Sequence, residues 1–418
     1  MTTSTTDCFA IGDRLLSLDE ALAAIPERVT PAVAVERVPL RAAAGRVLAA
    51  DLIATVTHPA EDTSAMDGYA VRHSDLSPTE PVTLPVTARV AAGHPLGRPL
   101  ASGEAARIFT GGVMPAGADT VIMQEDVTDT GDGRATLPAG VPLRRHVRAA
   151  GGDFRTGTTV MTAGRRLTPL DIALAAAAGH PFVPVCERVR IGVFSTGDEV
   201  FEPGAALPPG GLYDGNRYGL MALAEALGAE VTDLGHLPDD LDRITAALGG
   251  AADEHHLLLT SGGVSVGGED HVRDAVEALG VLHFWRLAIK PGKPAALGQI
   301  RDAAFAGLPG NPVSALVTFL LIVRPLVQRL GGQTVTPPLR YPLPAGFHHT
   351  KAGHRREFLR AWIETGPEGP VLRTAASQDS AMVRSMSAAG GLVDVPEDHR
   401  AIEPGDLVDY LPFAEVMS

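Results

Sequence analysis

Strand–helix alternation between residues 185 and 330 is the feature that most constrains the fold. Short apolar runs such as Val189–Phe194 alternate with amphipathic segments such as Asp239–Leu248, and Asn216 stands where a helix cap is expected. Alternating β/α units of this length predict a parallel sheet with helices on both faces. We therefore expect a three-layer α/β/α domain over residues 185–330.

The regions on either side of this domain have different patterns. Over residues 46–140, short Val- and Thr-rich runs separated by Gly and Pro predict a β-rich second domain. Residues 10–45 and 141–184 are assigned to an N-terminal linking domain. After a linker rich in Pro and Gly, β-like runs predict a small C-terminal all-β domain over residues 335–418. The chain is thus expected to be a multidomain protein of α/β and β parts.

Charge and cysteine content exclude several classes of protein. The 35 basic and 49 acidic residues give a net charge of −14, which argues against nucleic-acid and anionic-membrane partners. Cys8 and Cys186 are too few for a disulfide framework or a cysteine-rich metal site. No secretory leader is evident in Met1–Ala10, and the apolar run Ala315–Val323 is far shorter than the roughly 20 residues of a membrane span. We expect a cytoplasmic protein.

Four polar, glycine-bearing loops follow strands of the predicted α/β sheet: residues 195–199, 260–270, 288–294 and 307–314. Ligands of open α/β sheets bind beyond the carboxyl ends of the strands. Glycines in such loops let backbone N–H groups approach an anion, and helix N-termini add a favourable dipole. Carboxylates of these loops suit Mg²⁺, which prefers one or two carboxylates together with phosphate oxygens. The sequence therefore predicts a site for a phosphorylated or adenylylated anion and a divalent ion.

Each of these residues, taken alone, has a simpler explanation. Glycine-rich loops are often only turns, and loop carboxylates are usually solvated. Asp239, Asp270 or Asn311 could serve only as helix N-caps, and Lys290 and Lys293 could be surface lysines. The convergence of four loops at one sheet edge favours the ligand site. The chain has no Walker lysine motif, no nucleophile elbow and no histidine spacing typical of a transition metal.

Several segments together resemble the molybdopterin molybdenumtransferase (molybdenum insertase) family, which includes the insertase part of gephyrin. The resemblance covers nearly the whole chain. The segments that carry it are Ser64–Ala70, Ile108–Gly112, Met123–Asp126, Thr260–Asp270, Lys290–Pro294 and Gly307–Ser314.

The resemblance implies an activity and an assembly. The family inserts molybdate into adenylylated molybdopterin and releases AMP in a reaction that depends on Mg²⁺. It forms an elongated homodimer in which the β-rich second domain reaches toward the active site of the partner subunit. Molybdopterin adenylyltransferase, the enzyme of the preceding step, is a candidate partner.

The resemblance also implies site residues. The implied catalytic residues are Asp67, Thr110, Glu199, Asp239, Asp270 and Lys290. Three of these, Glu199, Asp239 and Asp270, are the candidates to hold Mg²⁺. The implied substrate-binding residues are Ser261, Gly262, Gly263, Ser265, Arg286, Lys293, Pro309, Gly310, Asn311, Ser314, Arg355, Arg360 and Ser387. The last three of these match molybdate-holding positions of the C-terminal domain.

Two positions depart from the family pattern. Arg286 stands where the family often has lysine, and a guanidinium does not replace an ammonium in every role. Thr63 replaces the usual asparagine.

The residues allow a simple division of labour. Lys290 and Lys293, with backbone amides, would bind molybdate and phosphate oxygens. The dithiolene sulfurs of the substrate are the soft ligands for molybdenum, so the protein needs no cysteine at the site.

Two other functions stay open at this point. Molybdopterin adenylyltransferase shares the α/β domain but usually lacks the flanking domains. A non-catalytic scaffold could use the same fold. The sequence also leaves open whether the anion is molybdate or tungstate, which carboxylates bind Mg²⁺, and whether any carboxylate acts as a base.

Overall fold

A seven-stranded mixed sheet forms the centre of the computed structural model, which describes residues 15–263, 271–292, 294–367 and 369–417. Its strands are β1 (Leu15–Leu16), β2 (Arg190–Ser195), β3 (Glu230–His236), β4 (Leu257–Ser261), β5 (Gly280–Leu287), β6 (Pro294–Ile300) and β7 (Ala303–Leu308). They lie in the order β1-β5-β6-β7-β4-β2-β3. The predicted strands of this domain are therefore confirmed, and β1 and β6 are additional.

The prediction of a wholly parallel sheet is wrong at β6, which runs antiparallel to both β5 and β7. The remaining pairs of the sheet are parallel. The cause is the short connection between Leu287 and Pro294, because a parallel crossover needs a dozen or more residues. The chain turns after β5 and runs back beside it as β6, which places the cationic turn around Lys290 at the sheet edge.

Helices cover both faces of this sheet, which confirms the three-layer architecture. They are α1 (Leu18–Arg28), α2 (Gly215–Ala226), α3 (Leu241–Glu254), α4 (His271–Leu279), α5 (Pro312–Thr318) and α6 (Arg324–Leu330). Successive residues of β4 point to opposite faces: Leu257 and Leu259 pack with α1, α2, α5 and α6, whereas Leu258 packs with α3 and α4. The two apolar cores thus follow from the strand period.

A π-helical turn, Phe319–Val323, joins α5 to α6. The last helical segment therefore continues to Leu330, where the sequence also predicts its end. By length and composition the segment Pro312–Leu330 is apolar enough to cross a membrane. Within the fold, 89% of that window is buried. The segment is packed as the core helix of the central domain.

Two predicted helix caps are corrected by one or two positions. Asp214, and not Asn216, caps α2, because its carboxylate accepts a hydrogen bond from the backbone N–H three residues later. Asp240, and not Asp239, caps α3 in the same way. Asn311 occupies the N-cap position of α5 but makes no capping side-chain hydrogen bond. The side chains of Asn216, Asp239 and Asn311 are therefore not used as caps.

The N-terminal linking domain is built from both of the chain segments predicted for it. Its elements are Val35–Pro39 paired with Phe182–Cys186, Leu52–Ile53 paired with Thr159–Met161, and the helix Pro169–Ala177. Leu48 and Leu52 belong to its core, so this domain continues past the predicted limit at residue 45. Helix α1, which lies within the segment 10–45 assigned to this domain, packs in the central core instead.

The β-rich second domain is a six-stranded sheet. Its neighbouring strands are, in order, Thr120–Met123, Gly68–Val71, Ala105–Ile108, Val82–Val90, Arg134–Leu137 and Thr128–Asp129. The predicted runs Val82–Val90 and Thr120–Met123 are confirmed as strands.

The C-terminal domain is a second six-stranded sheet that takes one strand from the central domain. Its strands are Ile289–Lys290, Arg356–Gly366, Gly369–Thr374, Gly391–Val395, Leu407–Pro412 and Tyr341–Pro344. Ile289 and Lys290 pair in parallel with Arg356 and Glu357. A short helix, Val383–Ala388, interrupts the predicted all-β pattern.

Arg217 on α2 is a buried charge with three carboxylate partners, of which Asp214 is buried and Asp233 and Glu202 are exposed. Its side chain is 2% exposed and forms ion pairs with Asp214 at 3.0 Å, with Asp233 and with Glu202. Breaking a buried pair leaves an uncompensated charge, which costs far more than losing an exposed one.

We expect Arg217→Met to lower the free energy of unfolding of the central domain by about 3–5 kcal/mol. Arg273→Met is the matched control, because its pair with Glu277 has exposed side chains and is worth less than ~1 kcal/mol. Urea unfolding followed by the fluorescence of buried Trp285 measures both variants. Equal losses in the two variants would contradict the prediction.

Candidate active site

Strand register brings the predicted loops to one edge of the central sheet. Ser195, which ends β2, pairs with His236 on β3 and with Ser261 on β4. Ser261 in turn pairs with Leu308 at the end of β7. Three of the four predicted loops, those after β2, β4 and β7, therefore start side by side, next to the loop after β3.

A cleft of about 680 Å³ opens at this edge, between the central domain and the C-terminal domain. Among the described residues, its wall contains two cationic side chains, those of Lys290 and Arg355, and one carboxylate, that of Asp379. The predicted site residues that line it are Gly262, Gly263, Lys290, Pro309, Gly310, Asn311, Ser314 and Arg355. The cleft also contains Gln378, Asp379 and Ser380, which the sequence did not indicate.

The glycine loop after β4 has a backbone conformation that residues with a side chain rarely adopt. Gly262 and Gly263 have φ values of +87° and +66°. A Cβ on Gly263 would lie 2.6 Å from Oγ1 of Thr196, which is closer than real Cβ contacts. The two glycines line the cleft, and this part of the loop is shaped by the absence of side chains, with the N–H of Gly262 donating to the carbonyl of Leu308 at 3.0 Å.

Ser261 joins two of the loops. Its hydroxyl donates to the carbonyl of Pro309 at 3.1 Å and accepts from Nδ2 of Asn216 at 2.7 Å. The same Asn216 amide donates to the carbonyl of Gly310 at 2.8 Å. Asn216, which was predicted to cap a helix, instead fixes the loop after β4 against the loop after β7.

Lys290 lines the cleft, and its ammonium is paired with a buried carboxylate. Its ammonium forms an ion pair with Oε1 of Glu357 at 3.1 Å, and the other oxygen of Glu357 contacts Nε2 of His349 at 2.8 Å. The lysine side chain is 49% exposed, whereas the glutamate side chain is 4% exposed. Arg355 donates to the carbonyl of Ile289 at 3.3 Å, beside the lysine.

Arg360 lies behind the cleft wall. It is buried, and its guanidinium donates to the carbonyls of Asp379 at 2.8 Å and Ser377 at 3.0 Å. Burial lowers the pKa of Arg360. The structure thus places Arg360 where it shapes the loop of residues 377–380, which we call the wall loop. Ser387 is exposed on its short helix and does not line the cleft.

The wall loop also closes onto the central domain. The carbonyl of Ser380 accepts a hydrogen bond from the N–H of Val313, at the start of α5, at 3.0 Å. The cleft is therefore completed by contact between the two domains.

Glu199 and Asp239 follow the neighbouring strands β2 and β3, and both side chains are exposed. Neither carboxylate has an ion-pair partner in the part of the chain that the structure describes. The Glu199 carboxylate folds back over Gly197, where a Cβ would lie 2.8 Å from its Oε2. Within the described ranges no set of three His, Cys, Asp or Glu is close enough to hold a metal unaided. Two unpaired carboxylates fit Mg²⁺ when substrate phosphate and water complete its shell.

Four other predicted residues have simpler outcomes. Ser265, Asp270 and Lys293 lie outside the described residues. Arg286 is on β5, exposed, and is not among the residues that line the cleft.

Asp67 and Thr110 form a separate cluster in the second domain. Oδ1 of Asp67 accepts hydrogen bonds from the backbone N–H of Thr110 at 2.7 Å and from its hydroxyl at 2.8 Å. These bonds, with a smaller effect of the Arg107 charge, hold the pKa of Asp67 below its ordinary 3.8. Neither residue lines the cleft of its own chain.

A three-layer domain whose loops meet at one sheet edge, with a C-terminal β domain closing a cleft there, defines a class of multidomain protein with a polar cleft between domains. Family models match three parts of it: the MoeA N-terminal region (domain I and II) at residues 16–179, the probable molybdopterin binding domain at 192–329 and the MoeA C-terminal region (domain IV) at 342–413.

Comparison with whole proteins gives the same result. Molybdopterin molybdenumtransferase of Haemophilus influenzae is 37% identical over 405 residues, which is 96% of this chain and 100% of that protein. The protein of that name from Bacillus subtilis is 32% identical and matches 88% of each chain. The molybdopterin biosynthesis MoeA protein of Pyrococcus horikoshii OT3 superposes with a TM-score of 0.82 at 28% identity, covering 96% of this chain and all of that one.

The chain belongs to the molybdopterin molybdenumtransferase family. The predicted family, enzyme class and fold are confirmed.

We expect Thr110→Val to raise the pKa of Asp67 while leaving it below 3.8, because the larger backbone contribution remains. A depressed carboxyl pKa contributes stability above its ordinary value and loses it as the pH falls through the folded-state value. The variant should therefore lose this contribution at a higher pH than the parent protein.

Carbon-13 NMR of the Asp67 carboxyl during a pH titration measures this change. Thr130→Val is the matched control: it removes the hydroxyl bonded to Asp132 and should leave Asp67 unaffected. An unchanged Asp67 titration in Thr110→Val would contradict the prediction.

Proposed function

We propose that this chain, a transferase of molybdenum-cofactor biosynthesis by its family, inserts molybdate into adenylylated molybdopterin with release of AMP and dependence on Mg²⁺. The observation that carries this proposal is the composition of the cleft. It combines cationic side chains at Lys290 and Arg355 with Gly262, Gly263 and the start of α5.

The cleft residues suit an oxyanion and a phosphate. Lys290 offers three N–H donors, of which one is used by Glu357, and Arg355 offers a planar set of donors. Ser314 and Asn311 add neutral donors at the N-terminus of α5, where the helix dipole favours negative charge. Ligand oxygens can thus be bound and oriented without a protein thiol, since the substrate's dithiolene supplies the sulfur ligands.

Glu199 and Asp239, with Asp270 from the sequence motif, would hold Mg²⁺. When bound there, the ion would polarise the phosphoanhydride that joins the pterin phosphate to AMP. The protein's own contribution at this end is to present two carboxylates on neighbouring loops and to keep them free of ion pairs with the residues described.

The Asp67–Thr110 cluster extends the proposal to a homodimer. The two residues are held together in the second domain but do not line the cleft of their own chain. In a two-fold dimer each second domain would serve the cleft of the partner subunit, since such an interface is self-complementary. Molybdopterin adenylyltransferase would supply the adenylylated substrate, and the low cysteine content favours the cytoplasm as the compartment.

Turnover of purified adenylylated molybdopterin tests this function. With molybdate and Mg²⁺ together, we expect AMP release and formation of the molybdenum cofactor, and neither without Mg²⁺. Formation of adenylylated molybdopterin from ATP would identify an adenylyltransferase instead. Binding without turnover would identify a scaffold. Parallel reactions with tungstate compare the two anions.

A mixed dimer tests the shared site. Take Asp67→Ala and Lys290→Ala, each expected to leave little activity alone. If sites are built across subunits, one site of the mixed dimer collects both defects and the other is wild type. Co-expression with two affinity tags should then recover about half of the wild-type activity. A folded mixed dimer that stays inactive would contradict the shared site without contradicting the reaction.

A further inference from the structure

Glu357 is a buried carboxylate that touches the cleft only through Lys290. One of its oxygens lies 3.1 Å from the lysine ammonium, and the other lies 2.8 Å from Nε2 of His349. The glutamate side chain is 4% exposed, so substrate does not reach it directly. Neither Glu357 nor His349 was indicated by the sequence.

Backbone pairing enforces this contact. The strand Ile289–Lys290 leaves the central domain and pairs in parallel with the strand that begins at Arg356, so that Lys290 is aligned with Glu357. His349 reaches the same carboxylate from the strand His349–Thr350 of the C-terminal domain. The Glu357 carboxylate is therefore held within the C-terminal domain by His349, and it contacts the side chain of Lys290, which comes from the central domain.

The energetics favour a role beyond simple packing. Burying a carboxylate is costly unless it is paired and hydrogen-bonded, and here both oxygens have a partner. A lysine side chain is flexible and loses much rotamer entropy when it is fixed. With one N–H bound to Glu357, the ammonium is aimed and its other donors can point into the cleft.

We propose that Glu357 is the positioning residue for Lys290, and that His349 holds the Glu357 carboxylate in place. The inference rests on the proposed function, in which Lys290 binds the oxyanion. It makes the C-terminal domain a part of the anion site even where its side chains do not touch the ligand.

The neighbouring charges allow a purely structural role, which the experiment must separate. Lys351 is buried, donates to the carbonyl of Pro396, and is influenced by the charge of Glu357. Loss of Glu357 could therefore loosen the C-terminal domain through Lys351 and not through Lys290. The two roles differ in whether the effect of Glu357 needs Lys290.

A double-mutant cycle on molybdate binding makes the distinction. Isothermal titration of the full-length protein with molybdate alone compares wild type, Glu357→Gln, Lys290→Ala and the double variant. We expect Glu357→Gln to weaken binding about tenfold in the wild-type background, as for a charge-assisted contact, and less than about twofold in the Lys290→Ala background. The sign is informative, because removing a negative charge near a cationic cleft would by itself strengthen anion binding.

The control is Glu403→Gln, which removes a carboxylate from a contact with the adjacent His348 in which both side chains are exposed. It should leave molybdate affinity unchanged. Thermal unfolding of every variant monitors the folded state, and titrations are made well below the lowest midpoint.

Three results would overturn the inference: unchanged or tighter binding in Glu357→Gln, the same loss in both backgrounds, or unchanged binding in Lys290→Ala. None of them touches the AMP-release assay, which tests the proposed function separately. A wild-type protein that binds molybdate and releases AMP would therefore keep its function while losing this role for Glu357.

Discussion

The short parallel pairing of Ile289–Lys290 with Arg356–Glu357 is the interaction on which the site depends. Strand β5 of the central sheet ends at Leu287, and one residue later Ile289 and Lys290 already belong to the sheet of the C-terminal domain. Main-chain hydrogen bonds of this pairing set the register between the two domains. The domains are therefore joined by the turn of the chain as well as by their contact surface. The contact between Ser380 and the start of α5 closes the opposite side of the cleft. The cationic side chains of Lys290 and Arg355, one from each domain, thereby line the same cleft.

This arrangement bears on how an acidic protein would bind the proposed anion. The net charge of −14 sets the long-range field, but among the described residues the cleft wall contains two cations against one carboxylate. The dipole at the start of α5 adds partial positive charge at short range. Coulomb interactions in a partly desolvated cleft outweigh those of distant, screened surface charges. The local arrangement therefore decides what binds.

Sequence patterns predicted the parts of the fold that depend on local order. The strand–helix rhythm predicts the central domain, and the predicted loops after β2, β4 and β7 lie at one edge because parallel strands end there together. The antiparallel β6 was missed because its run has a single β-branched residue, Ile300, and such residues are typical of strands. The caps at Asp214 and Asp240 were missed because neighbouring Asp and Asn residues compete equally for a cap.

The rest of the site could not be predicted because it depends on contacts between residues far apart in the chain. Asn216, Glu357 and the wall loop at Gln378 are ordinary polar residues until folding brings them to the cleft. Arg360 shows the converse: motif resemblance placed it at the ligand, and its burial against the wall loop places it behind. A motif records that a residue matters for the cleft. Only the packing shows whether it touches the ligand or holds a group that does.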